Sequence, residues 1–193
     1  MLVAALLTLM PAIWADQAIP VVRGPDNAII ATGVLLDADT FLTANHVAEG
    51  FGSTVTIMCG SAPIDGITMA VSPKLDLAIV ALAEPCRQHP IGRLAKHNPR
   101  IGSRITLVGF PAGMFRMATQ GIVSAYESIE YSADRKYSLI TDATVFGGNS
   151  GGPVFDSQHR IVGIVSAGYC LGRGACYGVI VPISSIQAFL RGE

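Results

Sequence analysis

One short turn, Gly148-Asn149-Ser150-Gly151-Gly152-Pro153, combines a hydroxyl nucleophile with an unusually free backbone. Glycines on both sides of Ser150 permit conformations that side chains forbid, so neighbouring N–H groups can converge beside the hydroxyl. Acyl transfer needs such donors, because its tetrahedral intermediate develops negative charge on oxygen. Glycine and serine also dominate ordinary turns, so the segment alone leaves a plain loop as an alternative. The nucleophile is favoured over the plain loop if the chain also supplies a base and an acid that orients it.

Two upstream segments supply these groups. His46 follows a short apolar run and precedes small, helix-compatible residues, whereas Asp76 lies at the mouth of a strongly apolar run. An aspartate that enters a buried strand is costly unless it is hydrogen-bonded, and a histidine Nδ1–H is a suitable donor. Asp65 is a competing acid, but its Pro63–Gly66 context predicts a turn. The order His46, Asp76, Ser150 matches the chymotrypsin arrangement of a catalytic triad.

These segments resemble the catalytic segments of chymotrypsin-fold (trypsin-like) serine peptidases, and most closely the HtrA/Do-like (DegP-type) protease domain without a PDZ domain. The resemblance rests on three motifs: Thr43-Ala44-Asn45-His46-Val47, Asp76-Leu77-Ala78-Ile79 and the run from Thr141 to Pro153. It covers roughly residues 24 to 190. It implies an all-β fold of two six-stranded antiparallel β-barrels, with the active site in the cleft between them and a short C-terminal helix.

The resemblance also implies the roles of a serine endopeptidase. Ser150 would attack the scissile carbonyl, His46 would transfer the proton, and Asp76 would orient the imidazole. The backbone N–H groups of Gly148 and Ser150 would form the oxyanion hole. Activated trypsin-like peptidases carry an aspartate where this chain has Asn149, so activation by insertion of a new N-terminus is not expected. The alternative is a catalytically weak or inactive trypsin-fold protein that binds or scaffolds, and the intact triad favours the enzyme.

The substrate pocket is placed by the same resemblance. Thr144, six residues before Ser150, stands where trypsin-like enzymes carry an acid. The other predicted wall residues are Ser166, Ala167, Gly168 and Ala175. An uncharged pocket with small walls favours aliphatic P1 residues over lysine or arginine. Asp142 could instead select basic residues, although its position matches a structural aspartate of the HtrA motif.

The four cysteines are even in number and none sits in a pair spaced like a zinc site. Of the three possible pairings, the one that joins chain neighbours is favoured: Cys59 with Cys86 and Cys170 with Cys176. Four free thiols in a reducing cell are the alternative. Disulfides predict a secreted or periplasmic protein, and no metal or cofactor is expected.

The first residues, Met1–Ala15, are apolar and uncharged. They are short for a membrane span, which needs about 20 residues, and they suit a signal peptide cleaved after Ala15 or Ala18. The usual initial lysine or arginine is missing, so an uncleaved anchor or a buried strand stays open, and only an anchor would involve a membrane. Residues 16–193 are then the peptidase domain, with a first barrel near 20–85, a connector near 83–102 and a second barrel near 103–190.

The composition agrees with a globular domain that acts on proteins. Half of the residues are hydrophobic and 14% are charged, which is ample for a sizeable core. The net charge of −1 gives no reason to expect nucleic acid as a partner. The expected partners are protein or peptide substrates, and the resemblance allows a homo-oligomer.

Short apolar runs between turn residues predict eleven strands, and this pattern alone indicates only an all-β fold. The predicted ranges are 28–36, 40–43, 54–59, 64–71, 77–82, 104–109, 117–127, 138–142, 153–155, 161–167 and 177–182. Helix is predicted only after His46 and over Ser184–Leu190, where Ser184 would be the N-cap.

Overall fold

The structure is a computed structural model that describes residues 13–23, 26–130, 135–171 and 175–193. The first half contains six strands: β1 Ile19–Arg23, β2 Ala28–Leu35, β3 Thr40–Thr43, β4 Thr54–Cys59, β5 Ala62–Ser72 and β6 Leu77–Leu82. The second half contains β7 Arg104–Gly109, β8 Met117–Glu130, β9 Arg135–Thr141, β10 Pro153–Phe155, β11 Ile161–Leu171 and β12 Ala175–Pro182. Two α-helices are present in these ranges, α1 Asn45–Glu49 and α2 Ile183–Leu190.

The strands close into two antiparallel barrels. Their orders are β1-β2-β3-β6-β5-β4 and β10-β11-β12-β9-β8-β7. The predicted pair of six-stranded barrels with a short C-terminal helix is therefore confirmed.

Each barrel has its own apolar core, and the two cores meet. Phe41 is a fully buried large side chain of the first barrel, and Phe155 is its counterpart in the second. Val34, Leu42 and Leu77 belong to the first barrel but pack within the apolar cluster of the second. Packing of these side chains holds β3 and β6 against the second barrel. The predicted histidine and aspartate lie at the ends of these two strands.

Two sequence-based assignments in the first barrel differ from the structure. The sequence does not predict strand β1, because its four buried residues Ile19–Val22 show no polar alternation and include a proline. Asp65 lies within β5 rather than in a turn, and its carboxylate accepts a 2.7 Å hydrogen bond from the Thr56 hydroxyl on the paired strand β4. The turn predicted at Pro63–Gly66 is therefore wrong, whereas the strand predicted over 64–71 lies within β5.

The predicted N-cap of the last helix is also wrong. Helix α2 begins at Ile183, and its N-cap residue, Pro182, makes no side-chain cap hydrogen bond. The Ser184 backbone N–H instead donates to Asn98 Oδ1 at 3.0 Å, and the Ser184 hydroxyl accepts from Asn98 Nδ2 at 3.0 Å. A side chain from the connector thus satisfies the first turn of the helix, which no local sequence pattern indicates.

Both predicted disulfides are present, and they differ in their surroundings. Cys59–Cys86 is buried and closes a separation of 27 residues, whereas Cys170–Cys176 joins β11 to β12 at an exposed end and closes a separation of 6. Loop-closure entropy predicts a stabilisation of about 3.5 kcal/mol for the first and about 2 kcal/mol for the second. The second disulfide therefore contributes less to global stability and chiefly fixes one wall of the cleft described below.

The predicted signal segment lies mostly outside the described residues, which begin at Ile13. Residues Ile13–Gln17 form a 3₁₀ helix, and Asp16 pairs with Arg116, which immediately precedes β8. Within the described part of the chain, no helix is long and apolar enough to span a membrane.

Candidate active site

The fold brings the predicted histidine and aspartate together at the ends of paired strands. His46 lies in α1 immediately after β3, and Asp76 immediately precedes β6. Strands β3 and β6 are hydrogen-bonded neighbours in which Thr43 lies opposite Ala78. The apolar residues of both strands are buried in the cores, so the polar side chains at their ends are fixed at one edge of the first barrel.

The Asp76 carboxylate contacts both the imidazole and the backbone N–H of His46. His46 Nδ1 lies 3.0 Å from each carboxylate oxygen of Asp76, and the His46 backbone N–H donates to Oδ1 at 3.1 Å. The Ser166 hydroxyl donates to Oδ2. Burial opposes ionisation of this carboxyl, but the hydrogen bonds from His46 and Ser166 outweigh it and hold the pKa of Asp76 below its ordinary value. The carboxylate is thus ionised and fully engaged, and it fixes the orientation of the imidazole.

Asp76 has a left-handed backbone conformation, with φ of 60°. Aspartate is among the few side chains that enter this region at modest cost, and such conformations are concentrated at functional sites. The turn is closed by the Asp76 N–H, which donates to the Pro73 carbonyl at 3.3 Å. This conformation directs the carboxylate back towards α1.

Ser150 comes from the second barrel, in the loop between β9 and β10, whereas His46 comes from the first barrel. Both residues line one cavity of about 980 Å³ between the barrels. The Ser150 hydroxyl donates to the Ser166 carbonyl at 3.5 Å, and none of the described contacts joins it to His46. The side chain is therefore weakly held, and a rotation about one bond redirects the hydroxyl.

The backbone before Ser150 is fixed by hydrogen bonds to its carbonyls. The Gly147 carbonyl accepts from Ala112 N–H at 2.7 Å, and the Gly148 carbonyl accepts from the Thr32 hydroxyl at 2.7 Å. Gly148 has φ of 96°, and a Cβ atom there would lie 2.2 Å from the Phe110 carbonyl oxygen. Only glycine fits this position. Because a trans peptide sets its N–H opposite its C=O, the Gly148 N–H is directed away from Ala112.

Asn149 is buried inside this loop. Its side chain packs against Gly109, where an added Cβ would lie 2.6 Å from Asn149 Oδ1. That oxygen has no hydrogen-bond partner among the described residues. Because the Asn149 side chain is a neutral amide, it offers no carboxylate that could pair with the ammonium group of an inserted N-terminus.

Four of the five predicted pocket residues line the cavity, namely Thr144, Ser166, Ala167 and Gly168. Ala175 belongs to β12, but its side chain lies outside the described part of the structure. Asp142 is not among the lining residues; its carboxylate accepts a 2.7 Å hydrogen bond from the Ile122 backbone N–H. This contact agrees with a structural aspartate rather than a selector of basic side chains.

The cavity also contains residues that sequence reasoning did not assign to it. Val145, Phe146 and Tyr177 line it, and the exposed disulfide borders it. A Cβ added to Gly178 would lie 2.8 Å from Val145 Cγ2, so the valine fills the space beside this glycine. The position of Val145 next to Thr144 in the sequence is a signal that could assign it to the pocket. The contact with Gly178 depends on the β12–β9 pairing, which sequence does not reveal.

Comparison with known proteins identifies relatives over most of the chain. The sequence model of the trypsin-like peptidase domain matches residues 31–164. A "Probable periplasmic serine endoprotease DegP-like" of Brucella suis is 28% identical over 81% of this chain and 31% of that protein. "Magnetosome formation protease MamE" of Paramagnetospirillum magneticum is 31% identical over 90% of this chain and 25% of that protein. The chain thus spans less than a third of the length of these two relatives.

Solved structures share the architecture. The serine endoprotease from Yersinia pestis superposes with a TM-score of 0.76 at 20% identity, covering 95% of this chain and 67% of that one. At this level of identity the similarity bears on the fold alone.

Proposed function

Because this chain belongs to the trypsin-like peptidase domain family and is homologous to DegP/HtrA-like serine endoproteases, we propose that it hydrolyses peptide bonds as a serine endopeptidase. The observation that carries this proposal is the His46–Asp76 pair, in which both the imidazole and the backbone N–H of His46 are hydrogen-bonded to the carboxylate. This pair shares one cavity with Ser150. Since Nδ1 is hydrogen-bonded to a carboxylate, it carries the proton, and Nε2 is left as the basic nitrogen. His46 would remove the Ser150 proton during attack and later donate it to the leaving amine.

We assign the oxyanion hole to the backbone N–H groups of Gly148 and Ser150. The carbonyl that precedes each of these N–H groups accepts a hydrogen bond. The Gly147 carbonyl accepts from the Ala112 N–H, and the Asn149 carbonyl accepts from the Gly152 N–H at 2.9 Å. Both peptide groups are thereby restrained, which supports a hole that is formed at rest. Loss of one such donor costs about 3 kcal/mol of transition-state stabilisation.

The substrate backbone would pair with β11. Strand β10 pairs with β11 only up to Ile164, and backbone bonds from Gly151 and Gly152 extend this pairing to Val165. Among the described strands, none pairs with the same edge of β11 from Ser166 onwards. An exposed strand edge binds an extended peptide through main-chain hydrogen bonds.

The pocket chemistry supports a preference for aliphatic P1 residues. Its walls are formed by Thr144, Val145 and Gly168, none of which carries a charge. Val145 reduces the space beside Gly178, so medium-sized side chains should fit better than long ones. A lysine or arginine side chain at P1 would find threonine, not a carboxylate, at position 144. Burial of its unpaired charge is unfavourable.

A second candidate function is binding without turnover. It is favoured by one observation, the contact of the Ser150 hydroxyl with the Ser166 carbonyl in place of His46. Catalytic hydrogen bonds are often long or misaligned before substrate binds, so this orientation is compatible with an enzyme.

A peptide-library digest tests the proposed reaction and specificity together. We expect cleavage after valine, alanine, isoleucine and leucine at rates about 10- to 100-fold above those after lysine or arginine. Products identified by mass spectrometry give the P1 residue, and the Ser150→Ala protein is the control for contaminating proteases. Dominant cleavage after lysine or arginine would contradict the role given to Thr144.

The location that we propose is extracytoplasmic, either secreted or periplasmic. Within the described residues no cysteine is free, and stable disulfides form in oxidising compartments. The Brucella suis relative is named as periplasmic, which agrees with this assignment.

A further inference from the structure

Thr32, in β2 of the first barrel, is fully buried, and its hydrogen bonds cross to the second barrel. Its hydroxyl donates to the Gly148 carbonyl at 2.7 Å, and its backbone N–H donates to the Ser150 carbonyl at 2.9 Å. The pairing of β2 with β3 reaches only to Val34 and Leu42, so the polar groups of Thr32 lie beyond this ladder. The loop that carries Ser150 therefore takes the place of a partner strand at this end of β2.

Thr43 holds Thr32 from the strand that precedes the histidine. It is the last residue of β3, and its buried hydroxyl donates to the Thr32 carbonyl at 2.8 Å. A Cβ atom added to Gly151 would lie 2.1 Å from the Thr32 carbonyl oxygen and 2.2 Å from Thr43 Oγ1. The serine loop thus packs directly on these two threonines. They connect the strand that leads to His46 with the loop that carries the nucleophile.

The bonds from Thr32 fall on peptide groups that alternate with those of the assigned oxyanion hole. The Gly148 N–H belongs to the peptide that begins at the Gly147 carbonyl, and the Ser150 N–H belongs to the peptide that begins at the Asn149 carbonyl. Thr32 binds the carbonyl of the peptide that follows each of these, at Gly148 and at Ser150. Because each peptide group is planar, fixing its neighbours limits the rotation of its N–H.

The side-chain bond from Thr32 acts where the backbone itself is permissive. Gly147 and Gly148 lack the side chains that restrict backbone dihedrals, and Gly148 has φ of 96°. Gly148 is buried, so loss of the Thr32 hydroxyl would leave its carbonyl without this donor at a site of low solvent access. Rotation of this peptide towards another donor would also turn the hole peptides on both sides of it.

We propose that Thr32 is a positioning residue for catalysis, whose hydroxyl holds the N–H groups of the oxyanion hole in the orientation that the transition state requires. This inference rests on the proposed peptidase function, from which the hole is assigned. Thr32 is not among the residues that line the active-site cavity, so it acts through the Gly148 carbonyl rather than on the substrate. Hole donors stabilise charge that develops in the transition state, so removal of the hydroxyl affects kcat rather than KM.

Thr32→Val tests the hydroxyl, because valine has the shape of threonine but lacks the donor. We expect kcat for a good peptide substrate to fall by about 10- to 100-fold, whereas KM changes by less than about threefold. Thr32→Ser restores the donor and should recover kcat to within about threefold of the unmodified protein. An unchanged kcat in Thr32→Val would overturn the proposal, and so would a loss that Thr32→Ser shares.

A matched control and a second variant separate this role from a general effect on the first barrel. Thr68→Val, on β5, removes a buried hydroxyl that has no hydrogen-bond partner among the described residues, and it should leave kcat and KM unchanged. Thr32→Ala is smaller than threonine and tests the same loss if valine does not fit. Thermal unfolding gives the temperature below which every variant is folded, and kinetics are measured there. A loss of kcat in Thr68→Val as large as that in Thr32→Val would refute the assignment.

Inhibitor binding separates the oxyanion hole from substrate binding. A peptide aldehyde adds reversibly to the serine hydroxyl, and the oxygen of the adduct occupies the hole. Its inhibition constant should rise about tenfold in Thr32→Val. In the Ser150→Ala background, the dissociation constant of the corresponding peptide should be the same with threonine or valine at position 32. Equal weakening of both ligands would indicate a merely structural effect and contradict the proposal.

Hydrogen exchange distinguishes failure of this inference from failure of the peptidase function. Backbone amides of the fragment 146–155, followed by mass spectrometry, should exchange about tenfold faster in Thr32→Val than in the unmodified protein, whether or not peptides are cleaved. Cleavage by the unmodified protein with unchanged kcat in Thr32→Val would refute the role of Thr32 and leave the peptidase intact. No cleavage by the unmodified protein, together with faster exchange in Thr32→Val, would refute the peptidase and support the restraint of the loop by Thr32. No cleavage and unchanged exchange would refute both.

Discussion

Ser150→Ala should lower kcat/KM for a good peptide substrate by about 10⁵- to 10⁶-fold. The hydroxyl shares the cavity with a histidine held by a carboxylate, and its own loop carries the N–H groups assigned to the oxyanion hole. Stability should change by less than about 0.5 kcal/mol, because the side chain has one contact at 3.5 Å. Fluorogenic peptide assays and thermal unfolding measure the two quantities on the same preparation.

The matched control is Ser157→Ala, which removes an exposed hydroxyl from the turn after β10. Its kcat/KM should equal that of the unmodified protein. Residual activity of Ser150→Ala within tenfold of the unmodified protein would show that another group is the nucleophile.

Asp76→Asn should lower kcat by about 10⁴-fold while the protein remains folded. The carboxylate accepts from His46 Nδ1, the His46 backbone N–H and the Ser166 hydroxyl. An asparagine offers one oxygen in place of two and turns a donor towards one of these groups. The imidazole then loses the tautomer in which Nε2 is basic. Asparagine also tolerates the left-handed backbone, so strain at φ of 60° does not confound the result.

Asp65→Asn is the control for this substitution. The sequence offers Asp65 as a competing acid, but this residue lies on β5 and its carboxylate accepts a hydrogen bond from Thr56. Steady-state kinetics should show unchanged kcat for Asp65→Asn. A large loss in this variant together with near-normal kcat in Asp76→Asn would reverse the assignment of the orienting acid.

The sequence predicted the architecture because three motifs occur in one order at a spacing typical of one family. The sequence does not predict strand β1, because four consecutive buried residues that include Pro20 lack the alternation on which the prediction of a strand depends. Proline and glycine near Asp65 predict a turn, but pairing with β4 keeps this segment extended. Local composition was outweighed here by long-range pairing.

The finer features of the site depend on contacts between distant segments. The sequence predicts Ser166 as a wall of the pocket, but its hydroxyl also donates a hydrogen bond to Asp76, a residue of the other barrel. The Ala112 N–H that holds the Gly147 carbonyl comes from a turn after β7, where nothing in the sequence indicates a role. Sequence patterns identify residue types and local elements, whereas these contacts arise only when segments that are distant in the sequence fold together.

The central claim, that Ser150 is a nucleophile activated by His46 and Asp76, is tested most directly by labelling with a fluorophosphonate probe. The native protein should form a stoichiometric covalent adduct, and peptide mapping should place it on Ser150. The Ser150→Ala protein and the heat-unfolded protein should remain unlabelled. A folded wild-type protein that cleaves peptides but does not react with the probe, or that carries the adduct on another residue, would contradict the account.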